Sequence, residues 1–430
     1  MNKNQIISVL EDWNFWDGQR TVGIERSNGL KRMERLLATE QVLVVTGPRR
    51  SGKSTLMRQY ARQLIEKAGV ASANILFINF EDPRLDVTDA RALEMVFQIY
   101  CEYRHPTGVP YVFLDEVQEV AGWEKWVCSM HELGKARIIV SGSNAHLLSR
   151  ELGTALTGRY VPMTVFPLSF REFLKFREAT PLGEFDMQAR LREYFETGGF
   201  PAAVQSPQYR EILLGYYDDI LTHDLVRRYR IRKAPQFKQL AQFYLTQTAS
   251  AVTFQSAARH MGVNTNTAIA FSEYLESAYV TFLIKRFSFK FKEQDKSPRK
   301  VYAVDQGLAN TVGFRFMENM GRLAESVVFM ELKRRQSENP LLELYYWKNV
   351  QHHEVDFAVK NGLQIERLIQ VCWQPETART RMREVRALRA AMDEFGLGEA
   401  WVLTRDVEVD ENVSGKMIHF APLWKWLMEV

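Results

Sequence analysis

The chain of 430 residues is long enough for about three domains. A hydrophobic share of 46% supplies enough apolar side chains for real cores and excludes a disordered protein, while a formal net charge of +4 decides nothing about nucleic acid. Three widely spaced cysteines, Cys101, Cys128 and Cys372, exclude a disulfide framework or a thiolate metal site. No apolar run is long enough to cross a membrane. These features favour a cytoplasmic protein that makes no contact with a membrane.

The first part of the chain predicts an α/β domain. Residues 1–30 are expected to form a packed lead-in. From residue 31 to 165, short apolar runs alternate with helical patterns, which is typical of a parallel sheet covered by helices. Four runs predict strands buried on both faces: VLVV at 42–45, ILFINF at 75–80, YVFL at 111–114 and RIIVSG at 137–142.

A phosphate-binding loop follows the first predicted strand. Residues 47–54 match the pattern G-x-x-x-x-G-K-S and precede an amphipathic helical pattern. The glycines let the loop turn its N–H groups toward phosphate oxygens at a helix N-terminus. Lys53 is predicted to reach the β and γ phosphates, and Ser54 to bind Mg²⁺. The predicted nucleotide-binding residues are Gly47, Pro48, Arg49, Arg50, Ser51, Gly52, Lys53, Ser54 and Thr55.

An acidic pair ends the strand YVFL and completes the predicted site. Asp115 is expected to hold the metal ion beside the loop, and Glu116 to act as the base that orients or deprotonates the attacking water. A strand at 75–80 separates this pair from the loop in the sequence, which favours the additional-strand, catalytic-glutamate branch of P-loop ATPases.

Two further groups are expected near the γ-phosphate. Asn144, with Ser143 as second choice, follows the strand RIIV and would face the nucleophilic water; the alternative for Asn144 is a helix cap. Arg159, with Arg150 as the competitor, would stabilise transition-state charge in a neighbouring subunit; the alternative is an ordinary surface arginine.

These motifs resemble a known family. GPRRSGKST, YVFLDEVQ, VSGSN, LTGRY and FPLSFREF are similar to AAA-type ATPases of bacteria and archaea that carry a C-terminal domain of unknown function. The later segments GGFP (198–201), KVYAVDQGLANTV (300–312), GRLAESVVFMEL (321–332) and YYWKNVQHHEVDF (345–357) are similar to the same family. The resemblance implies ATP as the nucleotide and a homo-oligomer that places Arg159 across a subunit interface.

The middle of the chain predicts two helical regions. Residues 166–233 are expected to form a helical lid, interrupted by a turn at GGFP, and residues 234–303 a winged-helix domain. In the latter, the helices FQSAARHMG and TAIAFSEYLESA precede YVTFLIKRF and FSFKFKEQ, which alternate like a β-hairpin wing. Candidate contacts to DNA phosphates are Lys290, Lys292, Lys296, Arg299 and Lys300. The alternatives are a winged helix that only packs as a lid and, for the basic residues 227–233, a solvated helix face.

Residues 304–430 resemble the restriction-endonuclease fold, an α/β domain. In that fold an Asp, then a Glu or Gln, and a Lys two positions later surround Mg²⁺. Asp356 and Gln370 match the first two positions, and Glu325 would come from the preceding helix, but Cys372 stands in the place of the lysine. Lys348 or Lys360 would have to replace it, so we expect a domain that does not cleave nucleic acid.

Together these patterns predict an AAA-type ATPase whose nucleotide state drives a conformational change on DNA or on a DNA-bound complex. The alternatives are an ATP-gated protein-interaction switch that does not bind DNA, and an ATP-dependent nuclease that uses Asp356.

Overall fold

The structure is a computed structural model that describes residues 2–18, 20–143, 158–178, 183–313, 320–374 and 378–429. The chain divides into two compact units, Met1–Val165 and Phe166–Val430. Within the described ranges, no helix has both the length and the apolar character that a membrane span requires.

The first unit is built on a parallel sheet. Its strands are β1 (Val42–Thr46), β2 (Ile75–Asn79), β3 (Tyr111–Asp115), β4 (Arg137–Gly142) and β5 (Tyr160–Thr164), in the order β2-β3-β4-β1-β5. The first four coincide with the predicted apolar runs. The additional strand β4 lies between β1 and β3, so the strand before the phosphate-binding loop and the strand that carries Asp115 are not direct neighbours.

Helices cover both faces of this sheet. The α-helices of the unit are Lys3–Trp13, Ser27–Leu37, Lys53–Glu66, Ala90–Arg104 and Trp123–Glu132, with 3₁₀ turns at Ser72–Asn74 and Val117–Glu119. Val42 and Val44 pack with Ile6, whereas Leu43 and Val45 pack in the opposite core, because alternate residues of a strand point to opposite faces. Burial on both faces explains why the strands read as continuous apolar runs.

Among its described residues, the second unit contains a nine-stranded mixed sheet. Its strands are β6 (Ser250–Val252), β7 (Thr281–Arg286), β8 (Arg299–Ala303), β9 (Leu342–Lys348), β10 (Glu354–Asn361), β11 (Gln364–Val371), β12 (Glu399–Thr404), β13 (Val409–Val413) and β14 (Lys416–Pro422). Their order is β13-β14-β12-β11-β10-β9-β7-β8-β6. A short parallel pairing of β7 with β9, at Lys285↔Tyr345 and Arg286↔Tyr346, makes the sheet continuous.

The helices of the second unit come before, between and after these strands. They are Phe170–Phe176, Glu184–Thr197, Pro201–Val204, Tyr209–Asp219, Ala234–Thr246, Phe254–Met261, Thr265–Ser277, Phe291–Lys296, Gln306–Val312, Met320–Glu338, Ala378–Phe395 and Leu423–Met428, with a π-helix at Ile220–Arg227.

The predicted wing is wrong in its second strand. The two preceding helices occur where the sequence predicts them, Phe254–Met261 and Thr265–Ser277, but residues 291–296 form a helix and β7 pairs with β8. Asp295 holds this helix against both strands, because it binds Lys285 at 2.8 Å and Arg299 at 3.5 Å. Phenylalanine and lysine alternate before Glu293 with the two-residue period that is typical of a strand, but this segment does not form a strand.

The GGFP and VDQG segments meet in a tight polar junction. The buried carboxylate of Asp305 accepts hydrogen bonds from the N–H groups of Gly199 at 2.6 Å and Leu308 at 2.8 Å. Gly198 has a φ of +73°, and a Cβ there would stand 2.1 Å from Asp305 Oδ1. The glycines of GGFP and the aspartate of VDQG are therefore explained by this buried contact between the two segments.

Candidate nucleotide-binding and active site

The phosphate-binding loop connects β1 to the helix Lys53–Glu66. Gly47 has a φ of +142°, and a Cβ there would stand 2.2 Å from the carbonyl oxygen of Val165, so a side chain is excluded. Gly52 caps the helix in the left-handed conformation, with a φ of 97°. The loop is thus folded as its sequence predicts, with its backbone curled around the N-terminus of a helix.

The predicted loop residues differ in how far they are exposed to solvent. Pro48 is buried and its carbonyl accepts from the Ser51 N–H at 3.2 Å, whereas Arg50 is exposed in a left-handed conformation. Arg49 donates to Glu81 Oε1 at 2.8 Å. Thr55 lies beside Gly23, its Cγ2 being 3.8 Å from the position of a Cβ on that glycine.

The Lys53 ammonium lies inside the loop. It donates to the carbonyl oxygens of Gly47 and Pro48 at 3.2 Å each, and it lies 3.7 Å from Glu116 Oε1. Its side chain is only 3% exposed. An ammonium held by weak carbonyl contacts inside an anion-binding loop can exchange those partners for phosphate oxygens.

Asp115 ends β3 in a buried position. Its Oδ1 accepts a hydrogen bond from the Ser141 hydroxyl, and Ser54 donates to the same carboxylate. Burial, followed by the charge of Glu116, raises the pKa of Asp115 to about 6, although both hydroxyls and Lys53 oppose the shift. Burial makes the ionised form of this carboxylate unfavourable unless a positive charge is nearby. A divalent cation bound between Asp115 and Ser54 would supply that charge.

Glu116 has a left-handed backbone, with φ 55° and ψ 48°, which is a strained conformation for a residue other than glycine. Its N–H donates to Ser141 Oγ at 3.1 Å, and its Oε2 accepts from Gln118 Nε2 at 2.6 Å. The carboxylate is therefore fixed on one side by Gln118 and faces Lys53 on the other. Such preorganisation suits a base that must hold one water in place.

The lead-in crosses the helix that follows the loop. Gln59 Nε2 donates to the carbonyl oxygens of Val22 at 2.9 Å and Ile24 at 2.7 Å, and its Oε1 accepts from the Arg26 N–H at 3.1 Å. The Arg26 guanidinium donates to the Ser51 carbonyl at 2.9 Å. These contacts tie residues 22–26 to the loop.

Arg159 lies at the amino-terminal end of the parallel strands, whereas the loop lies at their carboxyl-terminal end. It comes immediately before β5, whose Tyr160 is opposite Val42 at the start of β1, whereas the loop follows the end of β1. About 15 Å of strand separates the two ends. Arg159 is half exposed and binds Glu132 at 2.6 Å. Ser143 is buried at the end of β4, while Asn144 and Arg150 lie outside the described residues.

Three contributors escaped prediction, namely Ser141, Gln118 and Gln59. Ser141 is a polar residue in an apolar strand, and that interruption is the signal that marks it. Gln118 stands in the motif LDEVQ without a local reason for its role. Gln59 acts through contacts with residues more than thirty positions away, and its sequence context carries no signal.

The loop fits a triphosphate and Mg²⁺. Ser51 Oγ is buried and has no hydrogen-bond partner among the described residues, as expected for a hydroxyl that faces a ligand. The space at Gly47 cannot accept a side chain, and the hydroxyl of Ser54 meets the carboxylate of Asp115. Hydroxyl and carboxylate oxygens are ligands that Mg²⁺ prefers.

A second charged cluster surrounds Lys300 in the second unit, and it corrects a prediction. Lys300 does not lie on the surface as a DNA contact: its side chain is 4% exposed. The ammonium lies 2.8 Å from Asp356 Oδ1, 2.9 Å from Glu354 Oε1 and 3.1 Å from Glu325 Oε1. Burial and the neighbouring charge of Asp356 raise the pKa of Glu325 to about 7.

The remaining predicted nuclease-like residues take separate positions around this cluster. Gln370 Oε1 accepts from the Asp356 N–H at 3.0 Å, and the Cys372 thiol is buried, which raises its pKa to about 11. Lys348 binds Glu354 at 2.9 Å, and Lys360 binds Glu343 instead of Asp356. Within the described residues, no group of three or more His, Cys, Asp or Glu side chains has the arrangement of a metal site.

The other predicted DNA contacts differ in exposure. Arg299 is largely covered, since its side chain is 17% exposed and its guanidinium lies 5.8 Å from the ring centre of Phe254. Lys290, Lys292 and Lys296 are exposed. Lys290 lies 3.3 Å from Glu293, and within the described residues neither Lys292 nor Lys296 forms an ion pair.

A parallel sheet with the order β2-β3-β4-β1-β5, a phosphate-binding loop after β1 and an acidic pair after β3 define a P-loop NTPase core of the AAA type. A family model described as an AAA domain matches residues 39–174. Two further models, described as domains of unknown function (DUF8612 and DUF4143), match residues 188–318 and 320–426.

Two curated relatives extend this similarity over most of the chain. The uncharacterized protein MJ1544 of Methanocaldococcus jannaschii is 30% identical over 414 residues, which cover 91% of this chain and 89% of the relative. An uncharacterized protein of Haemophilus influenzae is 32% identical over 327 residues, or 73% of this chain and 79% of the relative. The chain therefore belongs to the family of AAA-domain proteins, with C-terminal domains of unknown function, that includes MJ1544.

Among solved structures, the chain is similar to the Walker-type ATPase PABY2304 of Pyrococcus abyssi, at 13% identity and a TM-score of 0.43, over 67% of this chain and 95% of that one. A DNA polymerase III gamma subunit-related protein of Thermotoga maritima shows 10% identity and a TM-score of 0.27, over 58% of this chain and 99% of that one.

Proposed function

We propose that this protein hydrolyses ATP with Mg²⁺ in the pocket formed by the loop, Asp115 and Glu116. One observation carries the proposal: Lys53, on the loop after β1, and Glu116, on the turn after β3, approach to 3.7 Å, although the sheet places β4 between their strands. Ser141 on the neighbouring strand β4 contacts both acidic residues and so holds the turn after β3 in place.

Each residue has one role in this proposal. Lys53 binds the β and γ phosphates, and Ser54 with Asp115 holds the metal ion. Bound Mg²⁺ would neutralise charge that develops on the phosphate oxygens. Glu116 orients the attacking water and accepts its proton, while Gln118 keeps the carboxylate in place through Oε2. Asn144, with Ser143 as second choice, is proposed to interact with the same water.

We propose that Arg159 acts on the site of a neighbouring subunit in a homo-oligomer. Its place at the start of β5 supports this role. A side chain at the amino-terminal end of the strands cannot reach the loop of its own subunit, which follows their carboxyl-terminal end. Its ion pair with Glu132 is exposed and therefore easily exchanged.

Three variants test the ATPase proposal. Lys53→Ala should abolish nucleotide binding, and Glu116→Gln should bind ATP but lose turnover; normal turnover in the second variant would remove Glu116 from its role. Mixing Arg159→Ala subunits with Glu116→Gln subunits should restore part of the activity, because each supplies what the other lacks. Absence of restoration in mixed oligomers would refute action across the interface.

We further propose that the ATPase acts on DNA or on a DNA-bound complex through the second unit. Three exposed lysines support this action, because exposed ammonium groups bind phosphates: Lys290, which also pairs with Glu293, and Lys292 and Lys296, which form no ion pair within the described residues. ATP turnover should rise with duplex or single-stranded DNA and lose that stimulation as salt increases. If neither form of DNA stimulates turnover at low salt, the ATP-gated protein-interaction switch replaces this proposal.

We propose that the cluster around Lys300 does not cleave nucleic acid. The ammonium lies where three carboxylates converge. It therefore occupies the position of a bound metal ion and neutralises the carboxylates in its place. The cluster then joins β8, β10 and the helix Met320–Glu338 as a structural ion network.

A further inference from the structure

The segment after β7 exposes two aromatic rings among cations. Phe289 is 76% exposed and Phe291 is 70% exposed, which is unusual for side chains of this size. Phe289 stands edge-to-face on the buried Phe287, with ring centroids 5.1 Å apart and planes at 85°, so its position is fixed from below. The Lys285 ammonium lies 5.4 Å from the ring centre of Phe291. Both rings are therefore anchored and yet open to solvent.

A groove of about 440 Å³ lies beside Phe289, which is one of its lining residues. Phe287 and Trp347 contribute apolar surface, and Val350, which is 83% exposed, lines it together with Phe289. Arg286 also lines the groove, and within the described residues it forms no ion pair. The groove combines apolar walls with charges of both signs, since Glu293 and Glu394 also line it and the charge of Arg286 contributes to lowering the pKa of Glu293.

The charge of the segment favours an anionic occupant. Residues 285–300 contain seven cations (Lys285, Arg286, Lys290, Lys292, Lys296, Arg299 and Lys300) and two acids (Glu293 and Asp295). The acids bind three of the cations, and Lys300 is buried in its own cluster. Arg286, Lys292 and Lys296 thus form no ion pair within the described residues, although the charge of Arg286 still contributes to lowering the pKa of Glu293.

From this arrangement we infer that the surface formed by Arg286, Phe289, Phe291, Lys292 and Lys296 binds single-stranded nucleic acid. Bases stack on exposed aromatic rings, and the cations bind the phosphates that link them. A duplex keeps its base faces covered by stacking, so the rings contribute only when the strand is unpaired. The inference rests on the proposed action on DNA and specifies the form of DNA that the second unit recognises.

The test compares strand forms and variants of the full-length protein. Binding of a fluorescent 20-nucleotide oligo-dT and of a 20-base-pair duplex is measured by anisotropy over a series of salt concentrations. The double variant Phe289→Ala/Phe291→Ala should bind the single strand about tenfold or more weakly and the duplex almost as before. Phe185→Ala is the matched control, because Phe185 is also exposed, at 84%, and lies outside this surface. ATP turnover without DNA should be unchanged in both variants.

A second pair of substitutions tests the cations. Lys292→Gln/Lys296→Gln should weaken binding of the single strand and reduce its dependence on salt, since about two phosphate contacts are lost. Equal weakening of duplex and single strand by the phenylalanine substitutions would overturn stacking but leave the proposed action on DNA intact. Absence of binding to either form would overturn both. Binding to phosphatidylserine vesicles that depends on the two rings, without binding to oligo-dT, would identify a lipid surface and overturn the inference.

Discussion

Replacing Lys300 with methionine should destabilise the second unit by several kcal/mol. The substitution keeps an unbranched apolar stem and removes the ammonium, which lies 2.8 to 3.1 Å from oxygens of Asp356, Glu354 and Glu325. Removing one partner of a buried ion pair costs about 3–5 kcal/mol, because the other charge is left without compensation. In a domain of this size that loss corresponds to a fall in the melting temperature of about 6–20 °C.

The loss should depend on pH in a defined direction. Burial holds the pKa of Glu325 at about 7, and the Lys300 ammonium acts to lower it, so its removal raises that pKa further. A carboxyl with a folded-state pKa above its unfolded value becomes destabilising as pH rises between the two values. The deficit of Lys300→Met should therefore be smaller at pH 5.5 than at pH 8.

Scanning calorimetry at both pH values measures this loss. Lys296→Met is the matched control, since this lysine is exposed and should change stability by no more than about 0.5 kcal/mol. Adding Glu325→Gln to Lys300→Met should recover part of the loss, because one uncompensated charge disappears. A melting temperature equal to that of the control at pH 8, or a deficit that does not change with pH, would refute the ion network.

Three further results should follow. Ser141→Ala should lower turnover about 10- to 100-fold with ATP affinity nearly unchanged, because it frees the strained turn at Glu116; equal losses in kcat and in binding of a non-hydrolysable analogue would instead indicate a collapsed loop. Gly47→Ala should abolish nucleotide binding measured by calorimetry, whereas Gly134→Ala, at a φ of +61° with no atom within 4 Å of the new Cβ, should retain it. Burial raises the pKa of Asp305 to about 6, so this group should reduce the free energy of unfolding by about 3 kcal/mol between pH 4 and 6; denaturant titrations should show a flatter profile for Asp305→Asn, and an unchanged profile would contradict this origin.

The features predicted correctly depend on local sequence. Strands β1 to β4 are buried on both faces and so appear as unbroken apolar runs, and the phosphate-binding loop carries its geometry in its glycines. Strand β5 does not show this pattern, since it contains Pro162, lies at an edge and is only partly buried. Its sequence therefore gave little indication of a strand.

The features that escaped prediction depend on distant contacts. Ser141 contacts Asp115 across 26 positions because β3 and β4 are neighbours in the sheet. Lys300 follows a run of solvent-exposed cations and reads as one of them, but its partners Glu325 and Asp356 come 25 and 56 positions later. Exposure of a lysine cannot be inferred from its neighbours in sequence when the carboxylates that bury it come from other elements.

The pairing of β7 with β9 has a consequence for how the C-terminal half can be divided. The two family models of that half meet between residues 318 and 320, whereas Phe287 N–H donates to the Tyr346 carbonyl at 2.7 Å across that boundary. A fragment that starts at residue 320 would leave one side of β9 without its backbone partners, and an open sheet edge of this kind recruits other chains. Truncation experiments on this half should keep residues 166–430 as one piece, because the boundary seen in sequence is not a boundary in hydrogen bonding.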